Sequence, residues 1–271
     1  MSESTNFTNT KRRAFVPEED SQGIIAGRNP VLEALKSGTP LDSIYIDSEA
    51  TGSIGKIVAV AGQSNVVIKR VNSAKLNSMF TGNHQGVVAT IPCAEYVEIE
   101  DLLAAAKQSG EPAFIIIADE IEDPHNLGAI IRSAEAAGVN GIIIPKRRSA
   151  SLSSTVYKTS AGAASYVPVA RVPNLSAAID ELKSAGVWIY GADMDGEAYN
   201  TTDLTGDVAL VIGAEGNGIG RLIREKCDFI LSLPMKGKIS SLNASVAAGI
   251  MMYEVVRQRG STQAQKLIKG E

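Results

Sequence analysis

Two stretches decide how this sequence is read: Val208–Ile212 (VALVI) with Gly213–Gly220 (GAEGNGIG) after it, and Phe229–Leu233 (FILSL) with Pro234–Ser245 (PMKGKISSLNAS) after it. Each begins with an apolar run bounded by glycine or proline, at a length suited to a buried strand. The residues just past each run are unusual. Glu215 lies inside a glycine cluster (Gly213, Gly216, Gly218, Gly220), and Lys236, Gly237 and Lys238 lead into SSLNAS and a nearly continuous apolar segment. Glycine lets backbone groups approach a ligand closely. Two such loops, at the ends of neighbouring buried strands, point to a site rather than to a packing solution.

Working outward, further buried strands are expected at Phe114–Ala118, Gly141–Ile144 and Val187–Tyr190. Helices are expected over Asn126–Ala137, Leu175–Ala185, Ile219–Lys226 and Leu242–Gln258. Aliphatic strands alternating with helices predict an α/β fold with a mostly parallel sheet covered on both faces. The last helix is apolar nearly all round, and its small residues Ala244, Ala247, Ala248 and Gly249 suit a central helix or a face covered by a partner subunit. Ahead of this domain, strands near Leu41–Asp47, Val66–Val71 and His84–Pro92 alternate with short helices, giving a small α/β unit. The expected division is an arm over 1–22, a first domain over 23–92, a linker over 93–111 with a hinge at Glu111-Pro112, a second domain over 112–260 and a polar tail over 261–271.

Composition narrows the function. Of 271 residues, 44% are hydrophobic but only 5% aromatic, so the core is aliphatic. Cys93 and Cys227 are the two cysteines, which argues against a disulfide scaffold and fits a reducing, cytoplasmic setting. The polar N-terminus does not resemble a secretory signal, and no apolar run approaches the ~18 residues of a membrane span. A net charge of −4 excludes wholesale polybasic binding but leaves room for a local nucleic-acid patch.

Several chemistries are absent. The glycine loop is not G-x-G-x-x-G and comes late in the domain, so a dinucleotide is unsupported. There is no nucleotide-triphosphate loop and no G-x-S-x-G elbow. His84 and His125 fall in different domains, apart from any cysteine pair, so no metal site is expected. This leaves a cofactor held largely by backbone, which suits an adenine and ribose without phosphates.

Between the first strand of the second domain and its helix lies DEIEDPHNLGAIIRSAEAAG (119–138). Asn126 is a competent helix cap. Arg132 sits among apolar neighbours, with Gly128 one turn earlier leaving room beside the guanidinium. It is either an arginine on a solvated face or a donor fork aimed at a phosphate or reacting oxygen. After the next strand, Lys146, Arg147 and Arg148 precede several hydroxyls and form a candidate phosphate-backbone patch. Lys11, Arg12 and Arg13 in the arm offer a second basic run.

Three blocks, DPHNLGAIIRSAEAAG (123–138), ALVIGAEGNGI (209–219) and LPMKGKISSLNASVAAGI (233–250), resemble the SpoU or TrmH family of S-adenosylmethionine-dependent RNA ribose 2′-O-methyltransferases, within the SPOUT class. GRNPVLEALKSG (27–38) and HQGVVA (84–89) are similar to the family's substrate-binding domain, which has an L30e-like fold. The resemblance spans roughly 24–260, is strongest to the branch that methylates a guanosine in 23S rRNA, and departs from the usual pattern at Ala244, where valine is customary. It implies a deep C-terminal trefoil knot and a homodimer built partly on the last helix. It implies S-adenosylmethionine held by backbone near Gly213, Leu233 and Leu242, with Gly216 and Met235 adjoining. Asn126, Arg132, Glu215, Ser241 and Asn243 become the catalytic set. Because a guanidinium stays protonated, Arg132 is expected to position and polarise the target nucleotide rather than act as a free base. In the first domain Arg28 and Asn29 are the stronger RNA contacts, with Lys36, Lys69, Arg70, Lys75 and His84 behind them. The expected substrate is structured RNA, 23S rRNA before tRNA or another rRNA; a non-catalytic RNA binder is the remote alternative.

Overall fold

The structure is a computed structural model that describes residues 23–238 and 241–269, with side chains described to Gly260. The expected arm, with Lys11, Arg12 and Arg13, lies outside the described residues.

The first domain runs β1 (Ile24–Ala26), α1 (Arg28–Lys36), β2 (Ser43–Asp47), α2 (Ile54–Gln63), β3 (Val67–Val71), α3 (Ser73–Met79) and β4 (Val87–Thr90). Its sheet has the order β1-β4-β2-β3; β2 and β3 are parallel and the other pairs antiparallel. Alternation in β2 sends Ile44 and Ile46 to one face. There they pack with Val31 and Leu35 of α1, Ile54, Ile57 and Ala61 of α2, and Val87 and Ala89 of β4.

Next come α4 (Ile99–Ser109), β5 (Phe114–Ala118), α5 (Pro124–Ala136), β6 (Gly141–Pro145), α6 (Ser154–Thr159), β7 (Val169–Val172), α7 (Leu175–Ser184), β8 (Trp188–Ala198), β9 (Val208–Ile212), α8 (Arg221–Arg224), β10 (Phe229–Ser232) and α9 (Ala244–Lys269). The second sheet is parallel throughout, in the order β10-β8-β9-β5-β6-β7. As a run of residues buried on both faces requires, every residue of β5 and β9 is buried. Ile115 and Ile117 face a layer holding Leu102 of α4, Leu182 of α7 and Ile223 of α8. Phe114, Ile116 and Ala118 face Ile130 and Ile131 of α5, Val156 of α6, and Met252 and Val255 of α9.

Five differences from the sequence reading bear on function. Six strands form where five were expected, because β7 is only four residues long and carries Arg171 between its apolar positions. β8 continues to Ala198 past a register shift opposite Ile230 and Leu231. β9 and β10 are not neighbours, since β8 lies between them, and β10 is an edge strand with Phe229 exposed. The last helix starts at Ala244 rather than Leu242, and its backbone stays helical to Lys269. Finally, the segment 93–111, expected as a linker, carries α4 and packs on the second domain. Cys93 N donates to the Leu152 carbonyl at 2.7 Å, Val97 bridges to Ala170, and Leu102 is buried in the second core. At the expected hinge, Arg259 of α9 donates to the carbonyls of Pro112 and Ala113, each at 2.9 Å.

Candidate active site

At the C-terminal ends of β8, β9 and β10 the chain encloses a cleft of about 280 Å³. Ligands of parallel α/β sheets bind at this end of the strands. Ile212, Leu231, Leu233 and Met251 give it apolar walls, the backbone from Gly213 to Gly218 forms one rim, and Met235, Ser241 and Leu242 form another. All five residues expected to hold a cofactor, Gly213, Gly216, Leu233, Met235 and Leu242, line this one space. Ala192, Asp193 and Met194 line it as well. These were missed because β8 was expected to end at Tyr190.

Three of the expected catalytic side chains meet beside the cleft. Asn126 Nδ2 donates to Glu215 Oε1 at 3.0 Å, and Asn243 Nδ2 donates to Asn126 Oδ1 at 2.9 Å and also to Glu215 Oε1. Asn126 is not the helix cap. Asp123 is, accepting from His125 N at 2.9 Å, because Pro124 occupies the first helical position, where its missing N–H costs nothing. Released from capping, Asn126 is buried in the first turn and turned toward the glycine loop. Asn243 does both jobs: its Oδ1 accepts from Ser245 N at 3.0 Å and Val246 N at 3.3 Å while its amide holds the other two residues. The first turn of α5, the loop after β9 and the start of α9 are thereby tied at one point.

The glycine loop is closed by its own backbone. Ala214 and Gly218 exchange two N–H···O bonds of 3.0 Å, and a Cβ at Gly213 would collide with the backbone of Gly218 and Ile219. Glycine at 213 therefore makes room for the loop itself rather than for a ligand. Beneath it, buried Asp119 at the end of β5 accepts from Gly220 N at 2.8 Å. Burial pushes its carboxyl up from the ordinary range, against the pull of that bond. On the far side Asp193 accepts from Arg224 Nε at 3.1 Å, and Arg224 also donates to Asp195 at 2.6 Å. Neither Asp119 nor Asp193 stood out in the sequence, since a lone aspartate after a strand carries no pattern.

Arg132 stands apart from the cleft-side cluster. It is exposed on α5 and makes no hydrogen bond or ion pair among the described residues. Gly128 does not make space for it; a Cβ there would strike Thr159, so this glycine lets α6 close on α5. Of the expected RNA contacts, Arg28 is committed to structure, its Nε donating to Gln85 O at 2.9 Å and its Nη1 to Thr51 O at 3.0 Å. Asn29 is exposed beside it. Arg148 pairs with Glu120 at 2.7 Å, Arg147 is exposed, and Lys146 is half-buried. No cluster of ligating side chains able to hold a metal occurs among the described residues, and no described helix is long and apolar enough to cross a membrane.

Comparison with known proteins agrees with this geometry. The model of the SpoU rRNA methylase family matches residues 113–253, and a model for RNA 2′-O ribose methyltransferase substrate binding matches 24–97. The Bacillus subtilis protein YacO, named after the TrmH family of tRNA/rRNA methyltransferases, is 47% identical over 87% of this chain and 95% of its own length. Among solved structures, the SpoU methyltransferase AviRb from Streptomyces viridochromogenes, in complex with AdoMet, is 26% identical over 88% of this chain and 90% of its own, with a TM-score of 0.57. An AdoMet-bound rRNA methyltransferase from Sinorhizobium meliloti is 25% identical over 87% of each chain, with a TM-score of 0.55. With both of its domains matched and a relative 47% identical over most of both chains, the chain belongs to the SpoU/TrmH family of RNA 2′-O-ribose methyltransferases.

Proposed function

We propose that this enzyme takes its methyl group from S-adenosylmethionine bound in the cleft between β8, β9 and β10. The observation that carries the reading is the cleft itself: apolar walls that give an adenine a dry face and a rim of backbone from Gly213 to Gly218. Two similar solved proteins hold AdoMet. Gly213, Gly216, Leu233, Met235 and Leu242 would hold it. When bound, it supplies a methyl group activated by the sulfonium. The chain's own residues then have to place the acceptor. Asn126, Glu215 and Asn243 fix the cleft's edge, Ser241 offers a hydroxyl at its mouth, and Arg132 grips a phosphate of the target nucleotide with its free donor fork.

Three finer proposals concern the fold and assembly. Residues 112–260 carry a deep trefoil knot, supported by the return of the chain from edge strand β10 to bring Asn243 against Asn126. The first domain is L30e-like, supported by its four-stranded sheet with α1 and α2 packed on one face. The enzyme is a homodimer, supported by Val246, Ile250 and Tyr253, which leave an apolar stripe of α9 exposed.

For the target, the narrow reading is one guanosine in 23S rRNA, with Arg28, Asn29 and the Lys146–Arg148 run as contacts to the RNA. The curated relatives are named for tRNA and rRNA together, which favours the wider reading of a ribose in tRNA or in another rRNA. Mapping ribose methylation in total RNA from cells with and without the gene, and then transfer in vitro onto the affected fragment, tests both. Loss of one 23S site supports the narrow reading. Loss of a tRNA or other rRNA site replaces it with the wide one, and no lost site defeats both.

A further inference from the structure

The two domains meet on a buried ion pair. Asp42, just before β2, is 3% exposed at its side chain and Arg171 of β7 is 11% exposed. Arg171 Nη1 donates to Asp42 Oδ1 at 2.6 Å and to the Asp42 carbonyl at 3.3 Å. The Tyr96 hydroxyl, from the connecting segment, donates to the same carboxylate oxygen at 3.2 Å and accepts from Leu152 N at 3.0 Å. The Arg171 guanidinium lies 5.2 Å from the centre of the Tyr96 ring. The other carboxylate oxygen takes the hydroxyls of Ser43 at 3.3 Å and Thr90 at 3.4 Å. First domain, connector and second domain are thus joined at one carboxylate.

An apolar contact could hold two domains together but would tolerate sliding and rotation. A charge pair closed off from water is different. Separating it exposes or strands two charges, and its fixed donor geometry accepts one orientation. Little salt screening reaches it. The position also matters, because Arg171 Nη2 donates at 3.3 Å to the carbonyl of Lys146, the first residue of the basic run at the end of β6. On the other side, Asp42 leads into β2, whose far end at Asp47 donates its N–H to Gly86 O at 3.0 Å, beside the Gln85 that Arg28 grips. The pair therefore lies between the Lys146–Arg148 run and, across β2, the loop that Arg28 holds.

We propose that Asp42 and Arg171 are positioning residues for the RNA substrate: they lock the first domain at one angle, so that Arg28 and Asn29 and the Lys146–Arg148 run address a single RNA in fixed register. This rests on the reading above that the first domain takes the RNA. The test uses the full chain with spin labels at the exposed positions Gln63 and Glu181, and with Cys93→Ser and Cys227→Ala to remove the native thiols. One narrow distance distribution is expected for this background, and a distribution about twice as wide after Arg171→Met or Asp42→Ala. With unmodified RNA from cells lacking the gene, Arg171→Met is expected to raise KM about tenfold, leaving kcat and the S-adenosylmethionine Kd within about twofold. Asp42→Asn keeps an oxygen acceptor but strands the Arg171 charge, and is expected to widen the distribution and raise KM nearly as much as Asp42→Ala. An unchanged distribution in both Arg171→Met and Asp42→Ala overturns the lock. A widened distribution with unchanged KM overturns the positioning role if Asn29→Glu, which sets a negative charge at the exposed neighbour of Arg28, does raise KM. If Asn29→Glu leaves KM unchanged as well, the reading of the first domain as an RNA surface is what fails, and the positioning role falls with it.

Discussion

Asn243 donates its side-chain amide to the amide oxygen of Asn126 at 2.9 Å, across 117 residues of chain. Since Glu215 accepts from both, a single carboxylate and two amides tie the first turn of α5 to the glycine loop and the start of α9, both of which line the cleft. The same Asn243 caps α9, so its structural and positional roles have to be separated by choice of substitution.

Asn243→Asp keeps an oxygen able to cap but loses the donor and sets a second carboxylate against Glu215. Asn243→Ala loses both functions. Cap loss costs about 1 kcal/mol. The Tm of Asn243→Ala is therefore expected to fall by a few degrees, while Asn243→Asp stays closer to the parent. Methyl transfer is expected to fall at least about tenfold in both, which corresponds to about 1.4 kcal/mol of barrier. Normal turnover by Asn243→Asp, measured by tritium transfer, would show that capping is the residue's whole contribution.

Arg132 has no partner to lose among the described residues, so Arg132→Ala is expected to leave Tm and S-adenosylmethionine affinity within error. Turnover should fall by about a hundredfold or more if the guanidinium holds the target phosphate. Arg132→Lys restores the charge without the planar fork and is expected to recover only a small part. Equal turnover of the lysine and arginine enzymes under single-turnover conditions would sink the bidentate reading.

Much of this architecture was legible because burial on both faces leaves a plain mark. FIIIA and VALVI admit little but central parallel strands, and both lie in the middle of the sheet. Of the residues that line the cleft, Gly213 and Gly216 stood out as part of a glycine cluster just past a buried strand, whereas Leu233, Met235 and Leu242 were expected only from the family resemblance. Strand order was not legible. Nothing in FILSL distinguishes a neighbour of β9 from an edge strand beyond β8, because hydrogen-bonding partners leave no local signature. Side-chain partners were equally hidden. Asn126 was expected as a cap because asparagine is a competent N-cap and Asp123-Pro124 read as a turn ahead of it, yet Asp123 takes that role three residues earlier. Gly128 and Gly213 were assigned to making room for chemistry, whereas Thr159 and the loop backbone fill those spaces. Asp42 and Arg171 lie 129 residues apart, and only the fold brings them together.

Two glycines in one loop should respond differently to the same methyl group. At Gly213, a Cβ meets backbone of Gly218 and Ile219, which cannot yield without opening the loop. At Gly216, nothing lies within 4 Å, but φ is +85, where an L residue pays about 1–2 kcal/mol. Gly213→Ala is therefore expected to weaken S-adenosylmethionine binding by more than about tenfold and to lower Tm. Gly216→Ala should show a smaller loss of both. Calorimetry on the two variants checks the order, and a reversed order would mean that the space outside Gly216, rather than loop closure, is what the ligand needs.

Cys227 gives the last prediction, one that depends on pH. Its thiol donates to the Ile223 carbonyl at 3.4 Å and packs against Gly191, at a distance of 2.9 Å from where a Cβ on that glycine would lie. Burial pushes its pKa up to about 11; Asp228 adds to the rise, and Lys183 and Arg224 oppose it. At pH 8 only about one thiol in a thousand is then ionised, against about one in ten for a thiol at the ordinary value of 9.0. Alkylation by iodoacetamide, tracked at Cys227 by mass spectrometry, is expected to be about a hundredfold slower than for a model peptide. The rate should keep climbing about tenfold per unit through pH 10, where the peptide has already levelled off. The raised value fixes the sign of the linked stability. The folded state favours the protonated thiol, so this contribution is complete below the unfolded pKa near 9 and is lost as pH rises toward about 11. Tm should therefore drop more steeply between pH 9 and pH 11 in the parent than in Cys227→Ala, and parallel Tm curves for the two proteins would show that the thiol is not held in its neutral form.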